Sequence, residues 1–197
     1  MASGLVLLAL VGAACGGSGQ QSSSPATSSA TQAPNGQLLA PLGNGADGKP
    51  VDGVACNTGE QLAYHIHAHL AVFVDGQPRA IPYGIGIEQP VPEQTSAGPF
   101  VVQGDCFYWI HVHDLSGVIH IESPTQRTYT LGQFFDLWGQ PLSTTQVGPA
   151  SGPVTAFVNG APYQGDPRSI PLTAHQMIQL DVGPVVPPQA YRFPSGL

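Results

Sequence analysis

Residues 64–74 read YHIHAHLAVFV, and apolar side chains occupy every second position of this stretch. Because successive side chains of a β-strand point to opposite faces, this period of two predicts a strand. One face would hold the apolar residues Ile66, Ala68, Leu70, Val72 and Val74. The other face would hold His65, His67, His69, Ala71 and Phe73. We therefore expect a sheet with a core on one side and histidines on the other.

Hairpin signals follow this strand along the chain. Asp75-Gly76 is typical of a type I′ turn, so residues 78–87 are predicted to return as the partner strand. Residues 88–104 contain Pro90, Pro92 and Pro99 and are predicted to be a loop. Further strands are expected at residues 107–113 (FYWIHVH), 118–122 (VIHIE), 154–158, 168–172 and 177–182.

A short helix is predicted after residue 130. Thr130 and Gln133 have the spacing of a capping box, and Gly139 is suited to the C-terminal end. Bulky apolar residues recur at helical spacing, namely Leu131, Phe134, Phe135 and Trp138. This stripe is expected to pack on the sheet as part of the core.

The composition supports a β-rich fold. The chain has 197 residues with 25 Gly and 20 Pro, only 9% are charged, and 42% are hydrophobic. Turn-forming residues in such numbers favour short strands, and the apolar content suffices for a core. We therefore predict a mainly β, compact antiparallel β-sandwich or barrel-like domain of hairpins with a short helix packed on it. Five scattered Lys and Arg residues argue against nucleic acid as a partner.

The N-terminal residues have the pattern of an export signal. Residues 5–14 (LVLLALVGAA) form an apolar run that is too short to span a bilayer, and Cys15-Gly16 follows. This resembles a bacterial lipoprotein signal, which implies a signal peptide at 1–14 and a lipidated Cys15 anchored to the membrane of the cell envelope. The alternatives are a secretory signal that is removed together with Cys15, or an anchor that is not cleaved.

Composition also divides the rest of the chain. Residues 15–50 are rich in Gly, Ser, Gln and Ala, which indicates a flexible tether. Residues 51–186 are predicted to form the β-rich domain, and residues 187–197 a proline-rich tail.

The cysteine count fits an extracytoplasmic location. If Cys15 carries lipid, Cys56 and Cys106 remain, and an oxidising compartment would join them in a disulfide. The alternative is that both are metal-binding thiolates, although neither has a CxxC spacing.

Six of the seven histidines lie in two short stretches. The pattern HxH places two imidazoles on one face of a strand, where both can reach one ion, and a neighbouring strand can add a third. The predicted metal ligands are His65, His67, His69, His111, His113 and His120. Asp114 and Glu122 are candidate acceptors that would orient a ring N–H, and Glu122 is also a candidate ligand. His175 is isolated and is interpreted as structural.

The donor types narrow the choice of metal. Imidazole nitrogens suit transition metals, whereas Ca²⁺ and Mg²⁺ require oxygen ligands that are dispersed here. Methionine and cysteine ligands typical of Cu(I) or blue-copper sites are not near the histidines. Copper and zinc are therefore the expected ions.

The blocks HIHAHLAVFVDG, IPYGIGI, CFYWIHVHDLSGVIHIESP and YTLGQFFDLWG suggest a relationship. They resemble a family of small, exported, uncharacterised bacterial and archaeal proteins with HxHxHL and WxHxHDxxGxIHxESP motifs. The resemblance spans most of residues 64–182. It implies a shared fold and a shared histidine site, and it implies no activity.

Three functions are compatible with these features. The first is metal sequestration, buffering or delivery, with a metal-donor or metal-acceptor protein as partner. The second is a His-ligated metalloenzyme, either a hydrolytic zinc enzyme or an oxygen-activating copper or iron enzyme, whose catalytic residues are unknown. The third is a structural module that the metal staples together.

Overall fold

The structure is a computed structural model that describes residues 1–2, 4, 36–43 and 45–197. Most of the expected signal peptide at 1–14, Cys15 and the first part of the expected tether lie outside the described residues. Export and lipidation therefore stay predictions. No helix among the described residues combines the length and apolar character needed to cross a bilayer.

The described part of the chain is mainly β. Its helix is α1 (Leu131–Trp138), and a short 3-10 turn covers Pro167–Ser169. The strands before the helix are β1 (Cys56–Asn57), β2 (Tyr64–Val74), β3 (Gln77–Arg79), β4 (Ile87–Glu88), β5 (Val91–Thr95), β6 (Gly98–Gln103), β7 (Cys106–Tyr108), β8 (Ile110–His111), β9 (Val118–Ser123) and β10 (Tyr129–Thr130). Those after it are β11 (Leu142–Ser143), β12 (Gln146–Val147), β13 (Ala150–Ser151), β14 (Val154–Val158), β15 (Ala161–Tyr163), β16 (Pro171–Leu172) and β17 (Gln176–Val182).

A central sheet organises the fold in the order β15-β14-β17-β2-β9-β8, and β3 also pairs with β2. Strand β2 pairs in parallel with β17, whereas the other neighbours along this path are antiparallel. Shorter sheets (β1-β7-β4, β10-β16, β11-β12-β13 and β5-β6) surround it. The predicted fold class, a sandwich-like β domain with a short helix, is confirmed.

The core lies on the aliphatic face of β2, where Ala68, Leu70 and Val72 are completely buried. Helix α1 packs against the same core with its predicted apolar stripe. The helix begins at a capping box formed by Thr130 and Gln133 and ends at Gly139, which has the left-handed conformation expected there. Periodicity alone was sufficient to predict these elements.

The predicted return strand at 78–87 was wrong in length. Only Gln77–Arg79 pairs with β2, because the chain then turns through Gly84 and Gly86, which have φ of 79° and 73°. At Gly86 the backbone lies so close to the Ile110 carbonyl that no β-carbon would fit. Ile87–Glu88 leaves this hairpin and joins β7.

The predicted loop at 88–104 was also wrong, since β5 and β6 form an antiparallel hairpin. Prolines are tolerated there because β5 is fully exposed and the pairing has an irregularity at Val91/Pro92. A two-stranded ribbon needs fewer backbone donors than a central strand, so Pro92 and Pro99 do not prevent pairing, and Pro90 precedes β5.

Two other predicted strands are divided. Within residues 107–113, β7 pairs with β1 and β4, whereas β8 pairs with β9 in the central sheet. The interruption at Trp109 lets one segment serve two sheets, and His113 lies beyond β8. Within 168–172, Pro167–Ser169 forms the 3-10 turn, and Pro171–Leu172 pairs with β10.

The predicted disulfide joins Cys56 to Cys106, with their Cα atoms 5.5 Å apart. This prediction is confirmed, and it removes both cysteines from the list of metal ligands. The bond connects the paired strands β1 and β7.

The segments that flank residues 51–186 pack on the domain. Leu39 and Ala40 are buried in the core, ahead of the expected boundary at residue 51, and the Leu39 N–H donates to the Ala80 carbonyl at 2.9 Å. In the proline-rich tail, the Gln189 N–H donates to the side-chain oxygen of the buried Gln179 of β17 at 2.8 Å, which holds this segment against the sheet.

Candidate metal centre

Three adjacent strands carry the site, and β9 is the middle one. Their register places His120 of β9 directly between His67 of β2 and His111 of β8. In the next row, Glu122 of β9 is opposite His65 of β2. Directly paired residues point to the same face of a sheet with their β-carbons about 5 Å apart. The register therefore gathers side chains from two distant stretches of sequence.

The HxH spacing brings ring nitrogens into direct proximity within each stretch. The Nε2 atoms of His65 and His67 are 2.9 Å apart, and those of His111 and His113 are 3.0 Å apart. Neighbouring ligands of one ion with bonds of about 2.0–2.1 Å are separated by about 3 Å. Each histidine pair therefore has the separation that two ligands of one metal ion require.

Backbone carbonyls determine which ring nitrogen of His111 and His113 is free. His111 Nδ1 lies 2.8 Å from the Tyr108 carbonyl, and His113 Nδ1 lies 2.6 Å from the Val101 carbonyl. A carbonyl oxygen only accepts, so each Nδ1 must carry the hydrogen. In neutral rings both Nε2 atoms therefore present lone pairs, and these lone pairs face each other across 3.0 Å. A cation between them would remove the repulsion.

Glu122 organises the centre of the cluster. One carboxylate oxygen, Oε1, lies 3.3 Å from His120 Nδ1 and 3.1 Å from His65 Nε2. The other oxygen, Oε2, is buried without a hydrogen-bond partner among the described residues and lies 3.8 Å from His111 Nε2. A carboxylate in this position can both orient the His120 ring and ligate a metal.

The described residues with donor atoms close enough for metal binding form two overlapping sets. One contains His65, His67, His120 and Glu122, and the other contains His111, His113, His120 and Glu122. Within each set, the donor atoms lie within 4.8 Å of one another. Five predicted histidine ligands and Glu122 thus lie together.

Burial keeps the imidazoles of His67, His111 and His120 neutral. Burial, together with the charges of neighbouring histidines, lowers the pKa of His67 to about 4 and the pKa of His111 to about 3. Burial likewise lowers the pKa of His120 to about 2, with His113 as the largest charge contribution. Because a ligating nitrogen must be unprotonated, these rings are ready for a metal at neutral pH.

His69 lies apart from this cluster. Its Nε2–H donates to the Ser116 carbonyl at 3.0 Å, and its ring stacks on Tyr191 with centroids 3.7 Å apart. In the sheet register His69 is opposite Val118, two residues from His120 and beyond the end of β8. Neither donor set of the described residues includes it.

Asp114 and His175 also have other contacts. The Asp114 carboxylate accepts the Ser116 N–H at 2.9 Å and shapes the turn before β9. His175 is exposed and donates from Nε2 to the Leu197 carbonyl at 2.9 Å. The structure therefore places Asp114 in the turn and His175 at the tail.

A cleft of about 370 Å³ opens beside the cluster, and it includes two residues that sequence reasoning missed. Glu60 Oε1 lies 3.5 Å from His113 Nε2, and the Phe100 ring stacks on His113 with centroids 4.9 Å apart. Glu60 lies in the loop between β1 and β2, and Phe100 belongs to the hairpin that was predicted as a loop. No local pattern identifies either residue, because only the tertiary fold brings them to His113.

The centre as a whole is rich in nitrogen donors and contains one buried carboxylate. Such donors suit a transition metal and are poorly suited to Ca²⁺ or Mg²⁺. No protein-family model, curated protein or solved structure shows significant similarity to this chain.

Proposed function

We propose that this protein is an exported, lipid-anchored metal-binding protein that sequesters, buffers or delivers copper or zinc through its histidine cluster. The observation that carries this proposal is the pair of Nε2 lone pairs of His111 and His113, which face each other across 3.0 Å. Two backbone carbonyls hold the rings in this tautomer, so the rings cannot satisfy each other by a hydrogen bond.

A proton is the competing occupant of this position. On His111, whose pKa burial lowers to about 3, such a proton is lost well below neutral pH. A transition-metal ion binds the neutral imidazoles without that cost. The facing lone pairs therefore favour a metal at neutral pH.

The packing favours a binder over a metal-stapled module. The main core is on the opposite face of β2 and includes the aromatic stripe of α1, and a disulfide joins β1 to β7. These interactions do not involve the histidine cluster. We expect the metal-free protein to remain folded at neutral pH.

The cleft keeps a metalloenzyme as a second candidate. It lies directly over His113 and His120, and Glu60 borders it. Burial, followed by the charge of Glu122, raises the pKa of Glu60, as is common for a residue that accepts a proton in catalysis. Hydrolysis of an activated ester by the zinc-loaded protein, abolished in Glu60→Gln, would support this candidate over a carrier.

Export is the remaining part of the proposal. The Cys56–Cys106 disulfide fits an oxidising compartment, and Cys15 would supply the lipid anchor. This is tested by expressing wild type and Cys15→Ala in a bacterial host and separating membranes from soluble protein. We expect wild type in the membrane fraction and Cys15→Ala in the soluble fraction.

Metal binding itself is tested by competition with a chromophoric chelator at pH 7.5. We expect wild type to take up Cu²⁺ or Zn²⁺, and His111→Asn to lose affinity by at least tenfold because it removes one of the two facing nitrogens. His175→Asn is the matched control, since His175 is exposed and outside the cluster. Equal affinity of wild type and His111→Asn would contradict the proposal.

A further inference from the structure

We propose that the cluster holds two metal ions, bridged by the Glu122 carboxylate. This inference rests on the proposed metal-binding function and concerns the number of ions and their arrangement. One ion would be bound by His65 and His67, and the other by His111 and His113. His120 lies between the two pairs.

The distribution of donor atoms is the first argument. The pairs His65/His67 and His111/His113 belong to different donor sets, which share His120 and Glu122. Around a single ion with bonds of about 2.0–2.2 Å, even opposite ligands are at most about 4.4 Å apart. The donor atoms of the two sets do not all lie within 4.8 Å of one another, which is more than this limit, so one ion cannot bind all of them. The two sets therefore describe two adjacent sites that share His120 and Glu122.

The two oxygens of Glu122 are the second argument. Oε1 lies 3.1 Å from His65 Nε2, whereas Oε2 lies 3.8 Å from His111 Nε2, so each oxygen is near a different histidine pair. The Glu122 side chain is 3% exposed, and Oε2 has no hydrogen-bond partner among the described residues. A buried carboxylate oxygen without a partner is costly, and a cation beside it would satisfy it. Carboxylates bridge ions that are about 3.5–4 Å apart.

The sheet explains why two sites arise together. The central strand β9 contributes the shared residues His120 and Glu122, and each flanking stretch contributes one HxH pair. His120 donates from Nδ1 to Glu122 Oε1, so its Nε2 is free to ligate in the neutral ring.

Charge is consistent with two ions. Glu60, 3.5 Å from His113 Nε2, adds a second carboxylate at the edge of the cluster, and the chain carries a formal net charge of -7. Each ion would have a histidine pair and a shared carboxylate as protein ligands, and His120 Nε2 could complete the ligands of one of them, so positions remain for water or an incoming ligand from the cleft.

Stoichiometry tests the proposal. Metal-free protein is titrated with Zn²⁺ at pH 7.5, freed of excess ion and analysed by plasma emission. Wild type should retain two ions per chain, and His65→Asn, which changes a partly exposed ring, should retain one. His175→Asn should retain two. One ion per wild-type chain would overturn the two-ion centre and leave the proposed function intact, whereas no retained ion would overturn both.

The bridge is tested separately with Cu²⁺ by electron paramagnetic resonance. Two Cu²⁺ ions joined by a carboxylate interact magnetically, so wild type loaded with two equivalents should show a half-field signal. Its ordinary Cu²⁺ signal should account for fewer than two spins. Glu122→Gln should abolish the half-field signal. Two independent Cu²⁺ signals in wild type would overturn the bridge, and this result does not depend on how any variant folds.

Discussion

Acid should destabilise the metal-free protein through its buried histidines. The pKa of His111 is lowered to about 3 and that of His120 to about 2, chiefly by burial, whereas an unfolded histidine has a pKa of about 6.5. Below pH 6.5 the unfolded chain takes up protons that the folded protein does not. The free energy of unfolding therefore has its full value above about pH 6.5. It decreases as the pH falls from there towards the pKa values that the two histidines have in the folded protein.

The size of the effect follows from the unfolded pKa. For each histidine that stays neutral in the folded state, the free energy of unfolding at pH 5 is lower than at pH 8 by RT ln(1 + 10^1.5), or about 2 kcal/mol. His111 and His120 together should lower the free energy of unfolding by about 4 kcal/mol. His67, whose pKa is lowered to about 4, acts in the same direction. This is a large fraction of the about 5–15 kcal/mol that stabilises a typical domain.

Urea unfolding of chelator-treated protein, followed by tryptophan fluorescence at pH 8 and pH 5, measures this loss. Burial raises the pKa of Glu60 and Asp181, and protonation of these carboxyl groups in the folded state opposes the effect of the histidines. The comparison with His111→Asn isolates the histidine contribution, because the variant should lose about 2 kcal/mol less than wild type between the two pH values. His175→Asn is the control and should behave as wild type. Equal losses in wild type and His111→Asn would refute the reasoning.

Two further predictions concern stability. Leu70→Ala, at a fully buried position of β2, should lower the free energy of unfolding by about 2–5 kcal/mol. Leu62→Ala is the control and should change it little, because Leu62 is exposed. Equal urea midpoints of the two variants would contradict the assigned core. Cys56→Ser/Cys106→Ser should lose about 4 kcal/mol, because the disulfide closes a loop of 50 residues. Reductant should shift the thermal midpoint of wild type and leave that of the double variant unchanged, and a similar shift in both would exclude the disulfide as its cause.

Local patterns were sufficient for some elements and insufficient for others. Strand β2, strand β9 and helix α1 were predictable because alternation or helical spacing continues along each of them. The hairpin of β5 and β6 was not, because its prolines argue against a strand unless its exposure to solvent is known. The interruption of the predicted strand 107–113 at Trp109 was also not predictable, because an apolar run has the same pattern whether it pairs in one sheet or in two.

The sequence by itself determined that histidines would line one face of β2 and that pairs spaced HxH would converge, since side-chain alternation is a local property of a strand. Only the tertiary structure decided which strands are neighbours. The pairing of β9 with both β2 and β8 aligns His67, His120 and His111, and it leaves His69 opposite Val118, where the tail residue Tyr191 covers it. The physical reason is that backbone hydrogen bonds between strands set the register, and register depends on the packing of the whole sheet.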